Sequence, residues 1–360
     1  MKPTFLTLLA LLLVTSCAPV KTSEVLSEAA PAPTSTQTRT AIPPTFTSTP
    51  TVPPTIAATP TPVPHPMSIE ALRMGSYPGS EIVIERELRR GENYGRFYAY
   101  YLSEGLKIYA LLTIPDGEMP EGGWPAIVFN HGYIPPDVYV TTERYVNYVD
   151  RLARAGYIVF RIDYRGHDQS EGEATGAYGH PGYLADVMNA VASLKQFPQA
   201  NPEKIGMWGH SMGGYLTLRA MVISPDIKGG VIWAGVVAPY VDLLYNWRRS
   251  GSFVPSPSSR GVGWRTAWVE EYGAPEDNPT FWESVSANSY LADLSGPIQL
   301  HHGTADEDVP LAFSENLAIQ LNTLGMPYEF YVYEEDDHNI AKYFTSAMDR
   351  TVAFFDLWLK

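Results

Sequence analysis

Apolar and polar positions change rhythm repeatedly along this chain, and each change marks an element. Residues 81–88 and 96–102 alternate as antiparallel strands do, with 106–114 following as a third. Residues 125–129 and 157–162 are short apolar runs of the kind that forms strands buried on both faces, and 204–208, 231–236, 297–301 and 328–333 are read as further strands. Between them the period lengthens to that of helices, over 142–155 (with Gly156 as a C-cap), 182–197, 310–324 (ended by Gly325) and 339–359. A few antiparallel strands followed by alternating strand and helix predict an α/β domain whose mostly parallel sheet is covered by helices on both faces. Residues 67–360 are expected to form it as one domain, without internal repeats.

The first 66 residues do not share this rhythm. A short basic start, Met1-Lys2-Pro3, precedes the apolar run 5–14, too short to span a bilayer and suited to the core of a secretory signal. It leads into Val14-Thr15-Ser16-Cys17, which resembles a bacterial lipobox, so residues 1–16 are expected to be a signal peptide and Cys17 a lipidated N-terminus. Cys17 is the sole cysteine of the 360 residues and so has no disulfide partner within the chain. Residues 18–66 hold twelve prolines, twelve threonines and four serines, with Phe46 and His65 as the aromatic residues. Such a stretch cannot bury enough apolar surface to offset its ordering entropy, and together with Cys17 it is expected to be an extended stalk. The expected location is therefore extracytoplasmic, with the membrane reached through the N-terminal lipid alone. Net charge is 25 − 39 = −14, which argues against nucleic acid as a partner.

Gly209-His210-Ser211-Met212-Gly213 has the form G-x-S-x-G and stands between the apolar run 204–208 and a helical stretch opening with Gly214. That is the setting of a nucleophile elbow, a turn so tight that side chains two before and two after the serine would collide. Ser211 is thus the expected nucleophile, and the backbone N–H of Met212 one donor to an oxyanion. A second donor should come from the loop after an earlier strand, where Asn130-His131-Gly132-Tyr133 offers the Tyr133 N–H; His131 is read as bracing that loop. A serine needs an imidazole oriented by a carboxylate. His338 follows the run 328–333, and Asp306 follows 297–301, giving the order Ser, Asp, His with gaps of 306 − 211 = 95 and 338 − 306 = 32. Asp308 and Asp242 are the competing acids, while Asp336 and Asp337 are read as a solvated turn. No metal or organic cofactor is implied, because the scattered histidines lack ligand spacing.

These segments resemble the catalytic domain of the prolyl oligopeptidase family and the dienelactone-hydrolase-like esterases. Asp306 falls on the family's aspartate in the pattern H-G-x-x-D-x-x-V-P, here 302–310, with Ser211 and His338 on its serine and histidine. Asp163-Tyr164-Arg165-Gly166 and 278–282 are similar to further family segments. The resemblance implies an α/β-hydrolase fold and cleavage of peptide or small-ester substrates through an acyl-enzyme, with a carboxylesterase lacking peptidase activity as the alternative. A non-catalytic surface binding protein on the same scaffold is a more distant one. The family's peptidases carry an N-terminal β-propeller, whereas only the stalk and a few strands precede the hydrolase segment here, so an open site is expected. Residues 239–294 form an insert rich in Trp and Tyr, expected to cap the site, with Arg248 and Arg249 as a clamp on substrate.

Overall fold

The computed structural model of the chain describes residues 63–247 and 263–360. They lie within one compact unit, Thr61–Lys360, built on a nine-stranded sheet of order β1-β2-β3-β5-β4-β6-β7-β8-β9. Strands β1 (Val83–Leu88), β2 (Tyr94–Ser103) and β3 (Leu106–Pro115) form an antiparallel meander, and β3 pairs antiparallel with β5 (Ile158–Ile162). From β5 through β4 (Trp124–Asn130), β6 (Ala200–His210), β7 (Ile227–Trp233), β8 (Ile298–Gly303) and β9 (Tyr328–Tyr333), every pairing is parallel. The leading meander and the parallel remainder are both as the hydrophobic pattern predicts.

Two apolar layers cover the sheet, and strand alternation sorts side chains between them. On β4, Ala126 and Val128 join the core beneath α3 (Gly182–Gln196), α4 (Met212–Ile223) and α8 (Leu311–Thr323). Ile127 and Phe129 point the other way, beneath α2 (Val146–Arg154) and α9 (Phe344–Leu359). Burying Ile127, Val128 and Phe129 contributes about 1.5–3 kcal/mol each, so the central strands are held firmly from both sides.

Differences from the sequence expectation gather at helix starts. The helix expected from residue 142 begins at Val146, because Arg144 and Tyr145 both adopt positive φ, 54° and 49°. That expected from 339 begins at Phe344, because the Asp336 carboxylate accepts the N–H groups of Asp337, Lys342 and Tyr343 and shapes the preceding loop. Asp336 is accordingly buried, not the solvated acid its acidic neighbours suggested: its oxygens are consumed by backbone donors. A short helix, α1 (Ile69–Arg73), lies where the sequence suggested no element.

The insert after β7 contains α5 (Tyr240–Tyr245), α6 (Trp264–Tyr272), α7 (Pro279–Val285) and a 3₁₀ turn, Ala287–Asp293. Its aromatics mostly pack on one another: Trp268 stacks on Tyr240 and Trp282 is fully buried, while Tyr245 is exposed. The ends of the excursion meet, since the Ser286 hydroxyl accepts the Tyr240 N–H at 2.9 Å and donates to the Trp282 carbonyl at 2.7 Å. His65 enters this cluster from the proline-rich segment, its ring set edgewise against Trp268, Tyr272 and Phe281.

Candidate active site

The elbow forms as its glycines allow. Ser211 sits between β6 and α4 with φ 55° and ψ −116°, a conformation a serine adopts only where its surroundings impose it. A side chain at Gly209 would strike the Gly213 carbonyl and the Thr217 hydroxyl, and one at Gly213 would overlap the Asn130 carbonyl. Backbone bonds fix the turn further: Ser211 N–H donates to the Trp233 carbonyl at 2.9 Å, and Val236 N–H donates to that of Ser211 at 3.1 Å. Met212 stands first in α4, where an N–H has no carbonyl of its own helix to meet.

Asp306 lies on the loop after β8. Its Oδ1 accepts the backbone N–H groups of Asp308 and Val309, each at 2.9 Å. Its Oδ2 accepts from His338 Nδ1 at 2.8 Å, and His302 Nε2 approaches the same oxygen to 3.1 Å. Burial alone would raise this carboxyl, whose side chain is 0 % exposed, but the hydrogen bonds from His302 and His338 outweigh it and hold the group well below the usual carboxylate range. His302 is itself held in place: its Nε2–H is shared with the Val309 carbonyl at 3.0 Å, while Nδ1 accepts from Ser314. The pattern within 302–310 contained His302 without revealing that use.

Of the residues singled out in the sequence, the structure brings Asp306 and His338 into direct contact and sets His338 beside the elbow. Its ring centroid lies 4.5 Å from that of His210, the serine's neighbour, and its carbonyl accepts from His210 Nε2 at 2.8 Å. Among the described residues no hydrogen bond joins the Ser211 hydroxyl to His338, a bond that commonly tightens only when substrate binds. With Nδ1–H given to Asp306, His338 Nε2 is the nitrogen left to accept a proton. Asp308 donates its own N–H to Asp306 and does not reach His338 by hydrogen bond; Asp242 is engaged with Asn246 on α5. Ligand atoms of Asp306, Asp308 and His338 lie within 4.8 Å of one another, although both Asp306 oxygens are already committed to donors.

The loop after β4 passes directly over the serine, since a side chain built on Gly132 would come within 3.3 Å of Ser211 Cβ. His131 is fully buried, its Nδ1 against the Gly132 carbonyl at 2.7 Å and its ring stacked on Tyr139, and burial holds its pKa well below the ordinary value. Those contacts give it a bracing part in the loop. The Gly132 N–H is engaged by the Tyr145 hydroxyl, leaving Tyr133 as the next amide along. On the acid side, Trp247 Nε1–H donates to the Asp308 carbonyl at 2.9 Å, tying the insert to that loop. Arg248, Arg249 and Cys17 lie outside the described residues.

Residues 145–360 match the family described as the prolyl oligopeptidase family. The chain is 25% identical over 256 residues to mouse dipeptidyl peptidase 8, covering 68% of this chain and 26% of that protein. It is 26% identical over 259 residues to the uncharacterized peptidase YtmA of Bacillus subtilis, covering 71% of this chain and 91% of that one. The chain thus spans about a quarter of the mammalian relative and most of the bacterial one. Similar solved structures include the acylaminoacyl peptidase of Pyrococcus horikoshii, with TM-score 0.58, 22% identity, and 75% and 42% of the two chains covered. An acetyl xylan esterase from a Paenibacillus species follows at TM-score 0.57 and 17% identity, with 79% and 92% covered. These structures share the fold. With the family match taking in more than half of the chain, the protein belongs to the prolyl oligopeptidase family and has the α/β-hydrolase fold.

Proposed function

We propose that Ser211, His338 and Asp306 form the catalytic triad of an enzyme that cleaves peptide or ester bonds through an acyl-enzyme. The observation that carries this reading is the 2.8 Å contact of His338 Nδ1 with Asp306 Oδ2, made by a loop that also bonds the serine's neighbour. Ser211 Oγ attacks the carbonyl carbon of the substrate while His338 Nε2 takes its proton; Asp306 keeps the imidazole in the required tautomer and stabilises its charged form. The oxyanion is met by the N–H groups of Met212 and Tyr133, the former also at the positive end of α4. His338 then protonates the leaving amine or alcohol, and a water activated by the same ring releases the acyl group. The relative matched over most of its length is called a peptidase, which favours amide cleavage alongside ester cleavage.

The test is covalent labelling with a fluorophosphonate, mapped to the modified peptide, beside turnover of matched p-nitrophenyl esters and aminoacyl amides. Labelling is expected at Ser211 and is expected to disappear in Ser211→Ala and to slow severely in His338→Ala. Short esters should turn over readily, with amides following at lower kcat/KM, because an amine must be protonated more fully before it leaves. Label on another residue, or turnover surviving in Ser211→Ala, would overturn the assignment. Esters cleaved without any amide cleavage would favour the carboxylesterase reading. We further propose, from the lipobox-like Val14-Thr15-Ser16-Cys17, that the protein lies outside the cytoplasm, held to a membrane by lipid on Cys17 and set off from it by residues 18–66.

A further inference from the structure

Behind the serine runs a chain of hydrogen bonds that the triad does not account for. Gly132 N–H meets the Tyr145 hydroxyl at 3.0 Å, that hydroxyl meets His210 Nδ1 at 2.7 Å, and His210 Nε2 meets the His338 carbonyl at 2.8 Å. The direction of each bond is fixed by the two ends. A backbone N–H can only donate and a backbone carbonyl can only accept, so His210 carries its proton on Nε2 and Tyr145 must donate to Nδ1. Burial pushes the His210 ring down to about 3 and the Tyr145 hydroxyl up to about 12, so both are neutral, as this polarity requires. We propose that Tyr145 and His210 are positioning residues of the reaction, a relay that sets the oxyanion loop and the His338 loop at fixed distances from Ser211.

The segment that aims Tyr145 is built for the purpose. Arg144 and Tyr145 hold positive φ, a conformation unfavourable for both residue types. The guanidinium of Arg161, fully buried on β5, donates to the carbonyls of Thr141, Glu143 and Arg144 and so pins the strained turn. A charge is thereby spent under the sheet on shaping one loop, and that loop delivers one hydroxyl. A side chain built on Gly132 would stand 2.8 Å from the Tyr145 hydroxyl, 3.1 Å from His210 Nδ1 and 3.3 Å from Ser211 Cβ, so relay and nucleophile share one small space. Rotating the Gly132 amide would turn the adjoining Tyr133 peptide, and releasing the His338 carbonyl would move the base; each is a displacement to which the reaction is sensitive.

This rests on the triad reading, and the experiment separates the two. Tyr145→Phe, His210→Phe and His210→Gln are compared with wild type, with kcat expressed per active site titrated by the fluorophosphonate. Tyr145→Phe and His210→Phe keep the ring packing but remove the bonds, and kcat per site should fall on the order of 10- to 100-fold with KM within about threefold. His210→Gln offers an N–H to the His338 carbonyl and an oxygen to Tyr145, and should recover part of the loss. Unchanged kcat per site in both phenylalanine variants overturns the relay, as does a loss confined to the number of titratable sites, which is what a purely structural role would give. If Tyr145→Phe does not fold, the comparison of His210→Phe with His210→Gln decides alone: equal rates overturn the proposal. Wild-type protein labelled away from Ser211 would remove the triad reading, and this one with it.

Discussion

Asp306 and Asp308 stand two residues apart on one loop, and their surroundings give them different parts. The first is shielded and accepts from two imidazoles and two backbone N–H groups; the second is exposed and bonds to the first only through its own N–H. Asp306→Asn is expected to lower kcat by up to about 10⁴-fold, since an amide selects the wrong tautomer of His338. Asp308→Asn should cost about tenfold or less. Steady-state kinetics on a soluble ester checks both, and a large loss at Asp308 with a small one at Asp306 would reverse the assignment. Sequence order made these acids and Ser211 legible, because each follows a buried apolar run. Tyr145 and His210 were not legible together, because their partners come from segments as far as 128 residues apart and nothing in local composition reports such a contact; His302 has its partners close in sequence, but its type alone does not say that it bonds Asp306.

At the scale of elements, central strands such as β4 and β5 were readable because burial on both faces leaves them few polar residues, while the exposed edge strand β1 was readable only as part of an alternating run. Helix starts were misplaced where a side chain redirects the backbone, as Asp336 does before α9 and Arg161 before α2. Asp163 does comparable work between loops. Set just after β5, it accepts from Tyr139 and Thr141 of the β4–α2 connection and from Ser170. Burial pushes its carboxyl up to about 7 in spite of the hydroxyls of Tyr139 and Thr141. From about pH 4, where an unfolded aspartate loses its proton, to about 7, the native state holds a proton that the unfolded chain lacks. Stability contributed by this group therefore declines as pH rises through that window. The urea midpoint of wild type should fall between pH 5 and pH 8 by more than that of Asp163→Asn, and parallel declines in the two proteins would refute the account. Asp306 has the opposite sign: its contribution is complete above the ordinary carboxylate range and is lost as pH falls below it.

For the molecule as a whole, the parts proposed for catalysis lie at the carboxyl ends of β4, β6, β8 and β9, and the expected membrane attachment lies at the far end of the stalk. The two should be separable. Cys17→Ser is expected to move the protein from the membrane fraction to the soluble one while leaving ester turnover per titrated site within about twofold. Full retention in the membrane fraction would contradict lipidation there. The clasp between Tyr240 and Ser286 bears on how much the insert's length can vary. The excursion between those residues, α5, α6 and α7 among the described ones, has its two ends joined at that clasp, and closing a longer or shorter loop through one such point changes the entropic cost only slowly with length. An excursion of another length could therefore close at the same clasp, while the elbow after β6 and the loops after β8 and β9 stayed in register.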